Sequence, residues 1–288
     1  MRSSAEAGQH NFIGRTATVL ANAGFTITYH DIAEADRHPE GTYSLTHMKP
    51  PTDARGLLFR RVYHYPFWQI ERQAERWLWD VAARSFRPEE IDAREAHQFY
   101  DYWRKRLFGG TARSARREGC VYVPLQGRLL TRRSFQSCSP LEMLEHCLRH
   151  EKTRKIIATL HPKEHYSHAE LAALTELEHR FPRLSIRTGE MEALLQDCDY
   201  VVTQNSAAGF AGYLFGKPLL LFGEIDFHHI AIKADHGNLQ DSFVCVIGHR
   251  PDYARYLWWF WQDQSINAGR PEAETKIVAR LRRYGWPV

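Results

Sequence analysis

The chain has 288 residues, 43% hydrophobic, 12% aromatic and 25% charged, with a formal net charge of +4 at pH 7. That composition builds a sizeable core, which excludes a disordered chain, and the length favours two domains over one. The longest apolar stretch, 207–222, is broken by Gly209, Gly212, Gly216, Lys217 and Pro218 and is too short to span a membrane.

In chain order, residues 1–10 are polar and lack the apolar centre of a secretory signal. The spacing predicts a short helix over 13–23, stopped by Gly24, and the β-branched and aromatic run 25–29 predicts a strand. A polar loop with Pro39 and Gly41 leads to a short strand near 43–47, and Pro50 and Pro51 precede a third over 56–65. Ile70, Ala74, Trp77, Leu78 and Val81 have helical spacing, so a helix is expected over 68–86. Another opens at Pro88 with Glu89 and Glu90 in its first turn and runs towards Leu107. The segment 109–118, with Gly109, Gly110 and several arginines, has the composition of an interdomain linker.

The second half alternates regularly. Strands are expected over 120–125, 155–160, 184–187, 200–204 and 218–222, with helices over 141–150, 167–180, 191–198 and 207–215 between them. Alternation at this spacing implies βαβ units and a parallel sheet covered on both faces. Segments 251–264 and 271–284 read as closing helices. The expected organisation is an N-terminal lobe over 1–108, the basic linker 109–118, a C-terminal lobe over 119–250 and the closing helices 251–288.

Cys120, Cys138, Cys147, Cys198 and Cys245 are odd in number, widely spaced and form no CxxC pair, as expected of reduced thiols in a cytoplasmic protein. From Arg104 to Arg133 there are nine basic residues against one acid, Glu118. Such a seam attracts an anionic ligand or an acidic membrane surface. No helix-turn-helix, zinc-finger or RNP pattern accompanies it, so nucleic acid is not an expected partner. The aromatic run Leu257-Trp258-Trp259-Phe260-Trp261 is expected to be buried, in part at least, with a membrane-facing role at the inner surface as the alternative.

Ligands of parallel α/β sheets sit at the carboxyl ends of the strands. Three loops fall there. The first holds Gln126 and Gly127, the second His161, Pro162 and Lys163, and the third Asn205, Ser206, Ala207, Ala208 and Gly209. Ser206 stands at the natural N-cap of the next helix, where free N–H groups and small residues seat an anion. His161 adds a donor and Lys163 a charge. Glu224, Asp226, His228 and His229 occupy a polar loop at the same edge. They offer too few ligands at a clear spacing for a metal, so none is expected.

Val121-Tyr122-Val123-Pro124-Leu125-Gln126, His161-Pro162, Asn205-Ser206-Ala207-Ala208-Gly209, Gly216-Lys217-Pro218 and Gly223 together resemble the bacterial capsule polysaccharide biosynthesis proteins, which are Kdo-transferase-like. The resemblance spans about residues 120–230. It implies an α/β, GT-B-like architecture of two Rossmann-like lobes with parallel sheets, the N-terminal lobe reduced, and a C-terminal lobe that binds a nucleotide sugar. It also implies transfer of an acidic, Kdo-like sugar from a CMP-activated donor to a glycan or glycolipid acceptor, with no cofactor beyond the donor. His161, Pro162 and Ser206 would then hold the donor phosphate, with Lys163, Asn205, Gly209 and Gln126 around it.

Members of the family usually carry an acid shortly after the Pro-Leu-Gln. Here 127–135 holds Arg128, Arg132 and Arg133 but no Asp or Glu. A catalytic carboxylate would have to come from elsewhere, with Asp31, Asp36, Glu224 and Asp226 as the candidates. A non-catalytic relative that binds a sugar nucleotide or glycan within a capsule assembly is the alternative function, and a UDP-sugar epimerase-like enzyme a further one.

Overall fold

In the computed structural model, residues 2–34, 39 and 41–288 are described. Among the described residues ten strands form, in order β1 (Leu45–His47), β2 (Leu57–Arg61), β3 (Phe67–Glu71), β4 (Cys120–Pro124), β5 (Lys155–Leu160), β6 (Leu184–Thr188), β7 (Tyr200–Thr203), β8 (Leu219–Leu221), β9 (Ile232–Lys233) and β10 (Ile266–Asn267). They form two sheets in two compact units. One unit is Met1–Arg84 with Trp258–Val288, the other Ser85–Leu257.

The second unit carries a six-stranded sheet of order β6-β5-β4-β7-β8-β9, parallel throughout. Its central strands β4, β7 and β8 are buried at every residue, which is why they read as unbroken apolar runs. Alternate residues Val121, Val123, Tyr200, Val202 and Leu220 face one core with Met143, Leu144, Leu174 and Phe243. The helices Pro140–His150, His168–Arg180 and Leu239–Gly248 close that face. The helix Ala207–Leu214 covers the other, where Gly209 and Gly212 let its backbone approach Leu219, Thr203 and Val201.

The first unit differs from expectation. Its sheet, ordered β1-β2-β3-β10, is mixed: β1 and β2 are parallel, but β2–β3 and β3–β10 are antiparallel. The lobe is α/β but its sheet is not the parallel one expected. Residues 67–71, the start of the expected helix 68–86, are instead a strand with all five residues buried. A strand enclosed on both faces is apolar at every position, and over a few residues such a run also satisfies helical spacing. Short 3₁₀ turns, Arg76–Leu78 and Asp80–Ala83, follow. Residues 25–29 form no strand, for among the described residues they have no strand to pair with, and a lone strand leaves its backbone groups unsatisfied.

The division also departs from the sequence boundaries. The helix Ala93–Phe108 belongs to the second unit, and residues 258–288 return to the first. Segment 109–118 is no free linker, because Arg116 and Glu118 donate their backbone N–H groups to Gln196 and Asp197 carbonyls at 2.8 and 2.9 Å. The basic seam is split as well. Residues 104–118 precede β4 and Arg128 to Arg133 follow it, so the strand places the two groups at opposite edges of the sheet. Residues 251–264 are a short α-helix, Tyr253–Leu257, continued by a π-helical stretch, Trp258–Asp263, that buries Trp259, Phe260 and Trp261. Among the described residues no helix is long and apolar enough to cross a membrane.

Candidate functional site

The strand order places a switch point between β4 and β7. From β4 the chain crosses towards β5, and from β7 towards β8, so a crevice opens where the two connections part. The loops that follow β4 and β7 meet there, and the loop after β5 lies one strand further out, beside the loop after β4. Thr203 at the end of β7 donates its hydroxyl to the Pro124 carbonyl at the end of β4 (3.2 Å) and accepts from the Ser206 N–H (3.3 Å). Ser206 is thereby fixed beside the switch point.

Among the described residues five α-helices follow strands of this sheet, and four of them begin with an acid in the first turn: Glu142, Glu170, Glu192 and Asp241. Glu142 and Glu170 complete capping boxes with Ser139 and Ser167, so those N-termini are already neutralised by the protein. Only Ala207–Leu214 begins without one. Ser206 Oγ accepts from Ala208 N–H at 3.2 Å, and Gly209 N–H is used by the Ser206 carbonyl at 2.9 Å. Among the described residues the N–H of Ala207, the Ser206 hydroxyl proton and the side chain of half-buried Asn205 have no protein partner. This is an anion seat in which capping and binding are compatible. Gly209 takes another role. A Cβ there would lie 3.1 Å from Leu219, so the glycine serves helix–sheet packing and does not line the approach to the seat.

On the loop after β5, His161, Pro162 and Lys163 are all exposed. His161 Nδ1 accepts from Lys163 N–H at 3.2 Å, which assigns the ring proton of the neutral imidazole to Nε2 and leaves that edge as a donor. The His161 N–H is held by Tyr166 Oη at 2.9 Å. On the loop after β4, Gln126 Oε1 is enclosed without a partner and Arg128 adopts a left-handed conformation with φ 55°.

Two groups escaped the sequence reading. Glu164 closes against Gly127, where a Cβ would lie 2.7 Å from its carboxylate oxygen, so the acid absent from 127–135 is replaced in space by one from the neighbouring loop. Its position directly after His-Pro-Lys at a strand end was the available signal. Arg133, counted only within the basic seam, lies 4.9 Å over the Phe135 ring with Nε and Nη2 enclosed and unpartnered. Burial, then Arg128, lowers its pKa, and Glu164 opposes them.

The catalytic candidates fare differently. Asp226 is fully buried, so it is not a carboxylate facing a substrate. Glu224 is exposed, its N–H donating to the Phe135 carbonyl at 2.8 Å. Asp31 is in the first unit, exposed and ion-paired with Arg2 at 2.9 Å, while Asp36 lies outside the described residues. His228 Nδ1 lies 2.7 Å from the Ile225 carbonyl and His229 Nδ1 3.0 Å from Tyr256 Oη. Among the described residues no group of three His, Cys, Asp or Glu side chains could hold a metal.

A family profile described as capsule polysaccharide biosynthesis protein matches residues 86–242, more than half of the chain and nearly all of the parallel-sheet unit. The chain belongs to that family. The match contains the loops after β4, β5 and β7, so the anion seat is part of the family's own region. Among solved structures, KpsC of Thermosulfurimonas dismutans, a beta Kdo 2,7 transferase, is 14% identical with a TM-score of 0.46, over 78% of this chain and 77% of that one. A UDP-glucosyltransferase of Polygonum tinctorium capable of glucosylating indoxyl is 11% identical with a TM-score of 0.31, over 60% of this chain and 43% of that one. Likeness at these scores carries no weight beside the family match. No curated protein matches the chain.

Proposed function

We propose that this capsule-family protein is a glycosyltransferase of the GT-B type that binds a CMP-activated acidic sugar and passes the sugar to a glycan acceptor. The observation that carries the reading is the uncompensated N-terminus of Ala207–Leu214, alone among the α-helices of the described residues that follow the parallel strands. The donor phosphate sits on Ala207 N–H and the Ser206 hydroxyl, and a ligand that extends across the end of β4 reaches His161 Nε2–H on the loop after β5. As the glycosidic bond breaks, negative charge grows on the leaving phosphate and these donors bind it more strongly, which lowers the barrier. Arg128 and Lys163 supply longer-range attraction. Glu164 and Glu224 are the accessible carboxylates at this edge able to take a proton from an acceptor hydroxyl. No resident metal or cofactor belongs to this reading.

Calorimetric titration with CMP tests it. Ser206→Ala and His161→Ala should each weaken binding by roughly ten- to hundred-fold, the loss of one charge-assisted hydrogen bond. Thermal melts on the same proteins isolate the capping role, for which Ser206→Ala costs about 1 kcal/mol of stability. Unchanged affinity in both variants, or no CMP binding by the parent protein at millimolar ligand, rejects the donor site. A non-catalytic sugar-nucleotide-binding relative is the second reading, favoured by the burial of Asp226 and the lack of an acid in 127–135. Glycan transfer from CMP-Kdo by the purified protein separates the two.

A further inference from the structure

The first unit carries a polar corner of its own. In the mixed sheet His47 pairs with Phe59 across the parallel strands, and Arg61 pairs with Trp68 across the antiparallel ones. Paired residues project to the same face, and so do residues two apart along a strand. His47, Phe59, Arg61 and Trp68 therefore share one face, with His47 and Arg61 at the carboxyl ends of β1 and β2. The helix Asn11–Asn22 packs on that face through Phe12, whose ring stacks on Trp68 with centroids 4.9 Å apart and planes 13° apart. His10, at the helix N-cap, stands edge-on to the same indole at 5.3 Å.

This helix, like Ala207–Leu214, begins without an acid in its first turn. Its cap is His10 Nδ1, which accepts from Ile13 N–H at 3.3 Å. The ring is then neutral with its proton on Nε2, and no negative charge faces the positive end of the helix. The N–H groups of Asn11 and Phe12 have no protein partner among the described residues, whereas the Gly14 N–H is taken by the His10 carbonyl at 2.8 Å. Trp68 is 3% exposed, and its Nε1–H is enclosed without an acceptor. A buried indole N–H ordinarily has one. Neither the half-buried imidazole of His47 nor the exposed guanidinium of Arg61 has a hydrogen-bond partner among the described residues. Burial, then the charges of His10, Arg60 and Arg61, lower the His47 pKa, the mark of an electropositive setting. The free groups of this corner are thus donors and cations, and they surround a helix N-terminus, where anions bind.

We infer that this corner is an oxyanion site for the phosphate group of a phosphate ester, seated on the Asn11 and Phe12 N–H groups between His10 Nε2, His47 and Arg61, with the Trp68 indole N–H at its floor. A phosphate ester offers three terminal oxygens to donors that converge from a helix end, a sheet face and two strand ends, whereas a carboxylate offers two oxygens in one plane. The site lies wholly within the first unit and rests neither on the donor seat nor on the function proposed above.

The test uses the full-length protein with sulfate as probe, because its charge stays constant while the imidazoles titrate. Glycerol phosphate serves as a phosphate ester, acetate as a carboxylate and sodium chloride as a control at matched ionic strength. Sulfate and glycerol phosphate should shift the indole N–H resonance of Trp68 and the ring resonances of His10 and His47. Binding of sulfate should tighten as the pH falls and the two imidazoles gain their protons. Arg61→Gln and His47→Gln should each weaken it by about ten-fold, the loss of one charge-assisted hydrogen bond. Arg61 is exposed, so its variant should fold. His10→Asn keeps a side chain suited to the cap, so it should weaken sulfate binding without lowering the melting temperature. Displacement of sulfate by vesicles of phosphatidylcholine with phosphatidylglycerol, and not by phosphatidylcholine alone, assigns the phosphate to a lipid headgroup, and displacement by glycerol phosphate alone assigns it to a soluble ester. The inference is overturned if chloride or acetate acts as strongly as sulfate, if the variants bind sulfate unchanged, or if Ser206→Ala abolishes the Trp68 shift. Loss of CMP binding in Ser206→Ala with that shift intact speaks to the donor seat alone, so the two proposals fail separately.

Discussion

The two units bury similar charged groups and treat them differently. In the parallel-sheet unit Glu151 is 4% exposed and accepts five hydrogen bonds, from Thr153 N–H and hydroxyl, Arg154 N–H and guanidinium, and Tyr200 Oη. Burial opposes its charge, but these donors and the Arg154 charge outweigh it and hold the carboxyl at about 2. In the mixed-sheet unit Glu71 is 2% exposed and accepts from Tyr284 Oη at 2.6 Å, with the Asp80 backbone also favouring its charge, while Arg280 stands 3.7 Å from Oε1, which has no hydrogen-bond partner among the described residues. There burial wins and the pKa rises. The lysines share their partners and differ in exposure. Lys217, 2% exposed, donates to the carbonyls of Arg116, Gln196 and Cys198, whereas Lys276 makes the same three-carbonyl pattern with Gln262, Asp263 and Ser265 at a half-buried position. A buried charge is tolerated where the surrounding groups satisfy it, as they do at Glu151 and do less fully at Glu71.

Lys217→Met should separate the units most. It orphans three backbone carbonyls at a buried site, and urea unfolding should show a loss of about 3–5 kcal/mol. Lys276→Met, whose carbonyls can turn to solvent, should cost only about 1–2 kcal/mol, and equal losses in the two variants would erase the contrast. Glu151→Gln follows, at about 2–3 kcal/mol, since a neutral amide loses the charge-assisted part of those bonds. Its pH profile carries the sign. The folded-state pKa lies below the ordinary 4.5, so the stabilisation is complete above that value and disappears as pH falls towards about 2. The Gln variant should lose that acid slope. Glu71→Gln should have the smallest effect and the opposite sign. A raised folded pKa means that stability falls as pH rises through it, so removing the charge should gain up to about 1 kcal/mol at neutral pH and nothing in acid. A destabilised Glu71→Gln at pH 7 would show that Arg280 already satisfies the carboxylate.

The same division governs what could be read in advance. Strands β4, β5, β6, β7 and β8 and the helices between them fall within a residue or two of expectation, because each is a short apolar run or an amphipathic helix bounded by Ser, Pro or Gly. In the mixed-sheet unit the helices Asn11–Asn22 and Ala273–Arg283 and the strands β1 and β2 also fall near expectation, but β3 and β10 do not, since they lie about two hundred residues apart and no local pattern announces such a pairing. The strand β9 and the helix Leu239–Gly248 went unread for a related reason: two residues make too short a run, and Asn238 capping a helix is a weak mark in a polar loop.

Within the site, the sequence by itself determined the chemical types at the sheet edge. Ser206 opening a helix, His161 ending a strand and the glycines behind Ser206 follow from periodicity and capping, which act over a few residues. It also determined that Ala207–Leu214 begins without an acid, although the importance of that absence appears only beside Glu142, Glu170, Glu192 and Asp241. Tertiary structure alone decided that Asp226 is enclosed, that Gly209 faces Leu219 and that Glu164 reaches Gly127 from another loop. Each of these depends on which strands lie side by side. Strand order is fixed by burial and backbone pairing summed over the whole sheet, and neighbouring residues in the chain carry no record of that sum.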